Sequence, residues 1–107
     1  MEVITNNNIK CTIALTGLYD VFDPEIGLNV VDLGLIYSVD FNEVDKMIEA
    51  TITLTTQFCP MGESISSDVK QSIANAFKDY EVNLNLVFDP AWSYDCISPE
   101  GKEFLSR

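Results

Sequence analysis

The chain has 107 residues, enough for one domain with one core, since chains of this size bury about two-thirds of the surface their unfolded form exposes. Six basic against seventeen acidic residues give a formal net charge of −11, which excludes nucleic acid and anionic membrane surfaces as partners, because phosphate contacts need Lys and Arg to displace counterions. The chain contains no histidine, which removes the Ser–His and Cys–His nucleophile pairs and the commonest metal ligand.

In chain order, Ile9, Ile13, Leu18 and Val21 fall near helical spacing over Asn8–Asp20, behind Thr5 to Asn8, any of which can cap a helix. Asp23-Pro24 stops that helix, and Gly27 and Asn29 favour an irregular loop. Leu33, Leu35, Tyr37, Val39 and Phe41 alternate with Gly34, Ile36, Ser38 and Asp40, a strand with one apolar face. After the polar turn Asn42 to Asp45, a second alternation through Ile48, Ala50, Ile52 and Leu54 completes an antiparallel hairpin. From Pro60 to Tyr80 the period changes, with Ile65, Val69, Ile73, Ala76 and Phe77 on one face of an amphipathic helix. Val82, Leu84, Leu86 and Phe88 give a third strand, joined to the second through that helix. Ser98-Pro99, an N-cap and a first-turn proline, opens a short terminal helix. The expected fold is α+β, ordered α-β-β-α-β-α, with helices on one face of a mixed three-stranded sheet. One domain over residues 1–107 is expected, with its core over about 9–105. No apolar run reaches the length of a membrane span, and Met1-Glu2-Val3 lacks the basic start of an export signal. The three cysteines, Cys11, Cys59 and Cys96, are odd in number and widely spaced, so reduced thiols in a cytoplasm are expected.

Cys59 precedes Pro60, which places it at the expected N-cap of the second helix. There the macrodipole favours a thiolate: half a charge at about 5 Å and an effective dielectric of about 20 is worth about 1.7 kcal/mol. One carboxylate about 8 Å away opposes this with about 0.8 kcal/mol after screening. A buried, inert cysteine ending a strand is the competing reading. Asp23, Glu25 and Asp32 bracket the loop after the first helix, where acidic residues are most often solvated turn formers. Thr55 and Thr56 close the second strand beside Cys59, either orienting a ligand or serving as ordinary strand residues. Trp92 and Tyr94 follow the third strand, as a lid over the core or a contact surface, with Asp95 and Cys96 beside them. The lack of a Cys-x-x-Cys pair excludes a stable four-thiolate site within one chain.

Taken together, Asp23-Pro-Glu-Ile-Gly27, Val31-Asp-Leu-Gly-Leu-Ile-Tyr37, Leu54-Thr-Thr-Gln-Phe-Cys-Pro60 and Trp92-Ser-Tyr-Asp-Cys-Ile-Ser98 resemble the metal–sulfur cluster assembly family that includes the SufT and PaaD-type proteins. The match runs from about Ile9 to Leu105. The resemblance implies a compact domain with the cluster-assembly fold, acting in maturation of iron–sulfur or related metalloproteins. The family's characteristic cysteine falls on Cys59, its acidic loop residues on Asp23, Glu25 and Asp32, its threonine on Thr55, and its late Trp and Asp on Trp92 and Asp95. Two departures stand out: Gln57-Phe58 where Pro-Gly is common, and Cys96 where Met is common.

The expected function is a non-enzymatic assembly or carrier factor whose Cys59 thiolate transiently holds iron or an iron–sulfur cluster, with no stable cofactor. Its expected partners are client apo-metalloproteins and the assembly machinery. Because a cluster needs about four ligands, a homodimer contributing two copies of Cys59 is the simplest completion. Two alternatives stand beside it: a thiol redox enzyme with Cys59 as nucleophile and Cys96 resolving, and an interaction module docking through the loop around Trp92.

Overall fold

A computed structural model of the chain describes residues 3–24, 26–55, 62–89 and 91–106. The elements are β1 (Ile4–Thr5), α1 (Asn8–Leu18), β2 (Ile36–Asn42), β3 (Met47–Ile52), α2 (Gly62–Ala76), β4 (Glu81–Leu86), a 3₁₀ turn (Tyr94–Cys96) and α3 (Pro99–Leu105). Among the described residues the sheet therefore has four strands, in the order β1-β2-β3-β4, where the sequence predicts three. The additional strand, β1, lies parallel to β2 over only two residue pairs, Ile4↔Ser38 and Thr5↔Val39. Two residues are too few to show a period, and the Asn6 side chain continues the pairing. Its Oδ1 accepts from Phe41 N at 2.9 Å and its Nδ2 donates to Phe41 O at 2.9 Å.

Asn7 caps α1, its side chain accepting from Lys10 N at 3.0 Å. The predicted period is present, but the buried stripe is Cys11, Ala14 and Leu18, whereas Ile9 and Ile13 are 78% and 49% exposed. The helix is apolar on both sides, so periodicity marks it without fixing its rotation. The predicted hairpin forms with Phe41 opposite Ile48 and Val39 opposite Ala50, and a bulge between Ile36 and Ser38. Its turn is shaped by Asn42, whose Oδ1 accepts from the amides of Val44 and Asp45 at 3.1 and 3.0 Å, the local bonding that makes Asn a turn residue. Leu33 and Leu35, predicted as strand, sit in the preceding loop. β4 runs parallel to β3 with Ile48 opposite Val82 and Ala50 opposite Leu84, as the intervening helix requires. Ser98 caps α3, accepting from Gly101 N at 3.0 Å, with Pro99 in the first turn.

Helices α1 and α2 pack together, and Ile65, Val69 and Ile73 of α2 bury against Val39, Ile48, Ala50, Ile52 and Val82 of the sheet. At the hairpin end Phe41, Phe77 and Tyr80 meet edge to face, with centroids 5.3 to 6.4 Å apart. Above them Lys10 Nζ lies 2.5 Å from Glu43, and the Tyr80 hydroxyl donates to the same carboxylate. The hydrogen bonds from Lys10 and Tyr80 hold the Glu43 carboxyl below its ordinary range. The group is solvent-exposed, so salt screens it. The opposite end, where β2 begins and β3 and β4 finish, receives the loops that carry the chemistry-bearing residues.

Candidate functional site

Cys59, Glu25 and Thr56 lie outside the described residues, as does the predicted N-cap position of α2. Among the described residues a seam forms between two segments far apart in sequence, Asp23 to Leu35 and Trp92 to Gly101.

The first segment begins as a closed loop. Phe22 and Asn29 form an isolated antiparallel bridge, Asp23 N donates to Leu28 O at 3.0 Å, and Gly27 N donates to Asp23 O at 2.7 Å. Gly27 takes a φ of +81° at the turn, a region that costs a residue with a Cβ. Asp23 is 1% exposed, so the reading of a solvated turn former does not hold for it.

Asp32 joins the two segments. One carboxylate oxygen accepts from Asn29 Nδ2 at 2.7 Å, the other from the Ser98 hydroxyl at 2.8 Å. Its main chain is bonded too: its amide donates to Asn29 Oδ1 at 2.8 Å, and its carbonyl accepts from Ser98 N at 2.8 Å. One residue on, Leu33 O accepts from the Trp92 indole at 2.6 Å. Gly34, at φ +77°, allows the closest approach: a Cβ there would stand 2.2 Å from Cys96 O. Trp92 is thus a half-buried strut fixing the late loop on the early one.

Beneath the seam lie two residues to which the sequence assigns no role at the site. The Tyr37 hydroxyl hydrogen-bonds with Thr53 and lies within electrostatic reach of Cys96; burial first, then negative charge at Cys96, pushes its pKa up against the pull of Thr53. Thr53 is fully buried and its amide donates to Leu35 O at 2.9 Å. A buried hydroxyl pair at the end of a strand is the signal that could have marked them, since a buried Tyr needs a partner for its polar tip. Thr55 follows two residues later, half-buried. The structure therefore brings Asp32, Trp92 and Cys96 together, with Asp23 in the adjoining loop; Asp95 is exposed on the 3₁₀ turn. Among the described residues no group of three or more His, Cys, Asp or Glu is placed to hold a metal ion.

Cys11 stands apart from the seam. It lines an open cleft of about 530 Å³, yet is only 4% exposed, and burial pushes its thiol pKa up despite a hydrogen bond with Thr5. Since the thiolate is the reactive form, iodoacetamide near neutral pH is expected to modify Cys11 about tenfold or more slowly than Cys96, which is half-buried. Peptide mass spectrometry reads the ratio. Equal rates in the folded protein would contradict it, and denaturant is expected to abolish the difference.

The site thus sits in a small α+β domain whose acidic loop is clasped by its carboxy-terminal segment. A family profile described as "Iron-sulfur cluster assembly protein" matches residues 4–84. The chain belongs to that family. It is 41% identical over 83 residues to a Porphyromonas gingivalis protein named Fe-S protein maturation auxiliary factor, covering 78% of each chain. It is also 36% identical over 102 residues to Fe-S protein maturation auxiliary factor YitW of Bacillus subtilis, covering 95% of this chain and 94% of that one. The crystal structure of a domain of unknown function, DUF59, from Bacillus anthracis superposes with a TM-score of 0.83 at 33% identity over 92% of each chain.

Proposed function

We propose that this chain is an auxiliary factor in iron–sulfur protein maturation, acting without catalysis of its own, in which the Cys59 thiolate transiently holds iron or a cluster as cargo. The observation that carries the reading is the family match over residues 4–84, which spans Cys59 and the acidic loop, supported by near full-length similarity to one relative named as a maturation factor. Soft thiolate suits iron and sulfide, and a ligand set left incomplete by one chain permits release to a client. A client apo-metalloprotein, the assembly machinery or a second copy supplies the remaining ligands. Asp23, Glu25, Asp32, Thr55, Thr56, Trp92, Asp95 and Cys96 are proposed to line or support the site. No helix among the described residues is long and apolar enough to cross a membrane. The comparisons give no support to a thiol redox enzyme or to a bare docking module.

Anaerobic incubation of the whole chain with ferrous iron and sulfide tests the proposal. The wild type is expected to develop a labile thiolate-to-iron absorption band and to activate an apo iron–sulfur client. Cys59→Ser is expected to lose both while melting within a few degrees of wild type, since serine is a poor soft-metal ligand. An undiminished band in Cys59→Ser would overturn the assignment of Cys59. A wild type that neither binds iron nor assists a client would overturn the proposed function.

A further inference from the structure

Strand β4 is an edge of the sheet, with no strand among the described residues paired to its outer side. Glu81 N donates to Lys46 O and Val87 N to Ile52 O, both at 2.9 Å, so with the parallel register the odd-numbered residues turn their main chain toward β3. The amides and carbonyls of Val82, Leu84 and Leu86 therefore point outward, away from the sheet. Natural edges are usually blunted by lysine, proline, a bulge or shortness. β4 has six residues, Glu81–Leu86, no Lys or Pro, and unbroken register with β3. Its apolar side chains become more exposed along the strand, from Val82 at 4% to Leu86 at 44%.

The sequence of this edge is nearly palindromic about Leu84: Val82-Asn83-Leu84-Asn85-Leu86. We infer that β4 pairs antiparallel with β4 of a second copy of this chain about a two-fold axis at Leu84, joining two sheets into one. In that register Leu84 faces Leu84 of the second copy and Val82 faces Leu86, both on the helix-covered face. Asn83 faces Asn85 on the other face, and Glu81, the one charged residue of β4, faces Val87. Each outward residue exchanges both its main-chain bonds with its opposite number, so all three outward amides and carbonyls of each copy are satisfied. Leu86, the exposed member, is covered by Val82 of the second copy.

The acidity of the chain does not prevent this contact. Glu81 lies at the strand end, about 20 Å along the paired strands from its counterpart, and Glu49 of β3 is held by the Asn83 and Asn85 amides at 3.2 and 3.0 Å. Its counterpart across the axis is three strand spacings away, about 14 Å, beyond a Debye length of about 8 Å. Asp79 and Asp89 lie outside β4, beyond its paired residues. Added salt is therefore expected to strengthen the dimer, the reverse of its effect on a basic peptide docked at the same edge.

Sedimentation of the full-length protein up to about 1 mM tests the inference, with Leu86→Lys as the variant, because that side chain is already half exposed in the single chain. A salt-strengthened dimer is expected, with Leu86→Lys raising its dissociation constant about tenfold or more and leaving the melting temperature within a few degrees. Leu84→Cys supplies a second readout. Facing residues in a hydrogen-bonded antiparallel pair have Cα atoms about 5.5 Å apart, within disulfide range. Mild oxidation of Leu84→Cys is expected to join the introduced thiols of two copies, giving a symmetric disulfide-linked peptide by mass spectrometry. A monomer at every concentration and salt, a dimer indifferent to Leu86→Lys, or no symmetric crosslink at position 84 would each overturn the inference.

Discussion

Gly34→Ala is expected to destabilise the protein by about 3 kcal/mol or more. The φ of +77° alone costs a residue with a Cβ about 1–2 kcal/mol. The new methyl would also stand 2.2 Å from Cys96 O and 2.8 Å from Cys96 C and Cβ. Two of those atoms are main chain and cannot swing aside, so the overlap must be relieved by parting the segments, at a cost typical of overpacking, about 1–3 kcal/mol. On each side the seam is pinned, by Asp32 O to Ser98 N at 2.8 Å and by Leu33 O to the Trp92 indole at 2.6 Å. For a domain of this size the sum corresponds to a melting temperature lower by about 15 °C. Gly27→Ala isolates the steric part: its φ is +81°, but nothing among the described residues lies within 4 Å of the Cβ position. Gly27→Ala is therefore expected to show the conformational cost alone. Equal losses in the two variants would mean that the seam at Gly34 yields. Hydrogen exchange should locate the Gly34→Ala damage in residues 92–98, which carry Cys96.

How much of this was legible in the sequence depended on whether one segment held its own signal. Helix α2 and the β2–β3 hairpin were readable because Ile65, Val69 and Ile73, and the alternation through Ile48, Ala50 and Ile52, record burial within a single window. The rotation of α1 was not, because Ile9 and Ile13 share its apolar character with Cys11, Ala14 and Leu18 and only packing against α2 chooses between the stripes. Strand β1 was invisible because half its pairing is done by the Asn6 side chain. At the site, Asp23, Asp32, Trp92 and Cys96 were named from ordered motifs, but what they do to one another was not available, since Asp32 and Ser98 are 66 positions apart. Tyr37 and Thr53 looked like ordinary strand residues. Their pairing appears only when β2 and β3 are laid side by side. The role of Cys59 still rests on the sequence and the family.

Breaking the carboxylate at the centre of the seam is expected to cost about 2 kcal/mol. In Asp32→Ala the Asn29 amide and the Ser98 hydroxyl lose a charged acceptor, and hydrogen bonds to charged groups contribute about 1.5–3 kcal/mol. Asp32 is only half-buried, so water makes good part of the loss. Ser98→Ala removes the other end of the 2.8 Å bond and also the cap of α3, a loss of about 1 kcal/mol for the cap alone. If the two side chains act through each other, the double variant is expected to lose less than the sum of the singles, with a coupling of about 1 kcal/mol in urea unfolding. Additive losses within about 0.3 kcal/mol would return Asp32 to an ordinary turn residue. Asp32→Asn separates this clasp from an electrostatic role. The amide can keep its oxygen toward Asn29 and turn its NH₂ to the Ser98 oxygen, so the stability loss should be smaller than in Asp32→Ala. If the carboxylate lines the same pocket as Cys59, its removal would lower the thiol pKa and speed its alkylation near neutral pH. Faster alkylation of Cys59 with most of the stability retained would give the carboxylate a second task at the thiol; an unchanged rate would confine Asp32 to holding the carboxy-terminal segment on the loop.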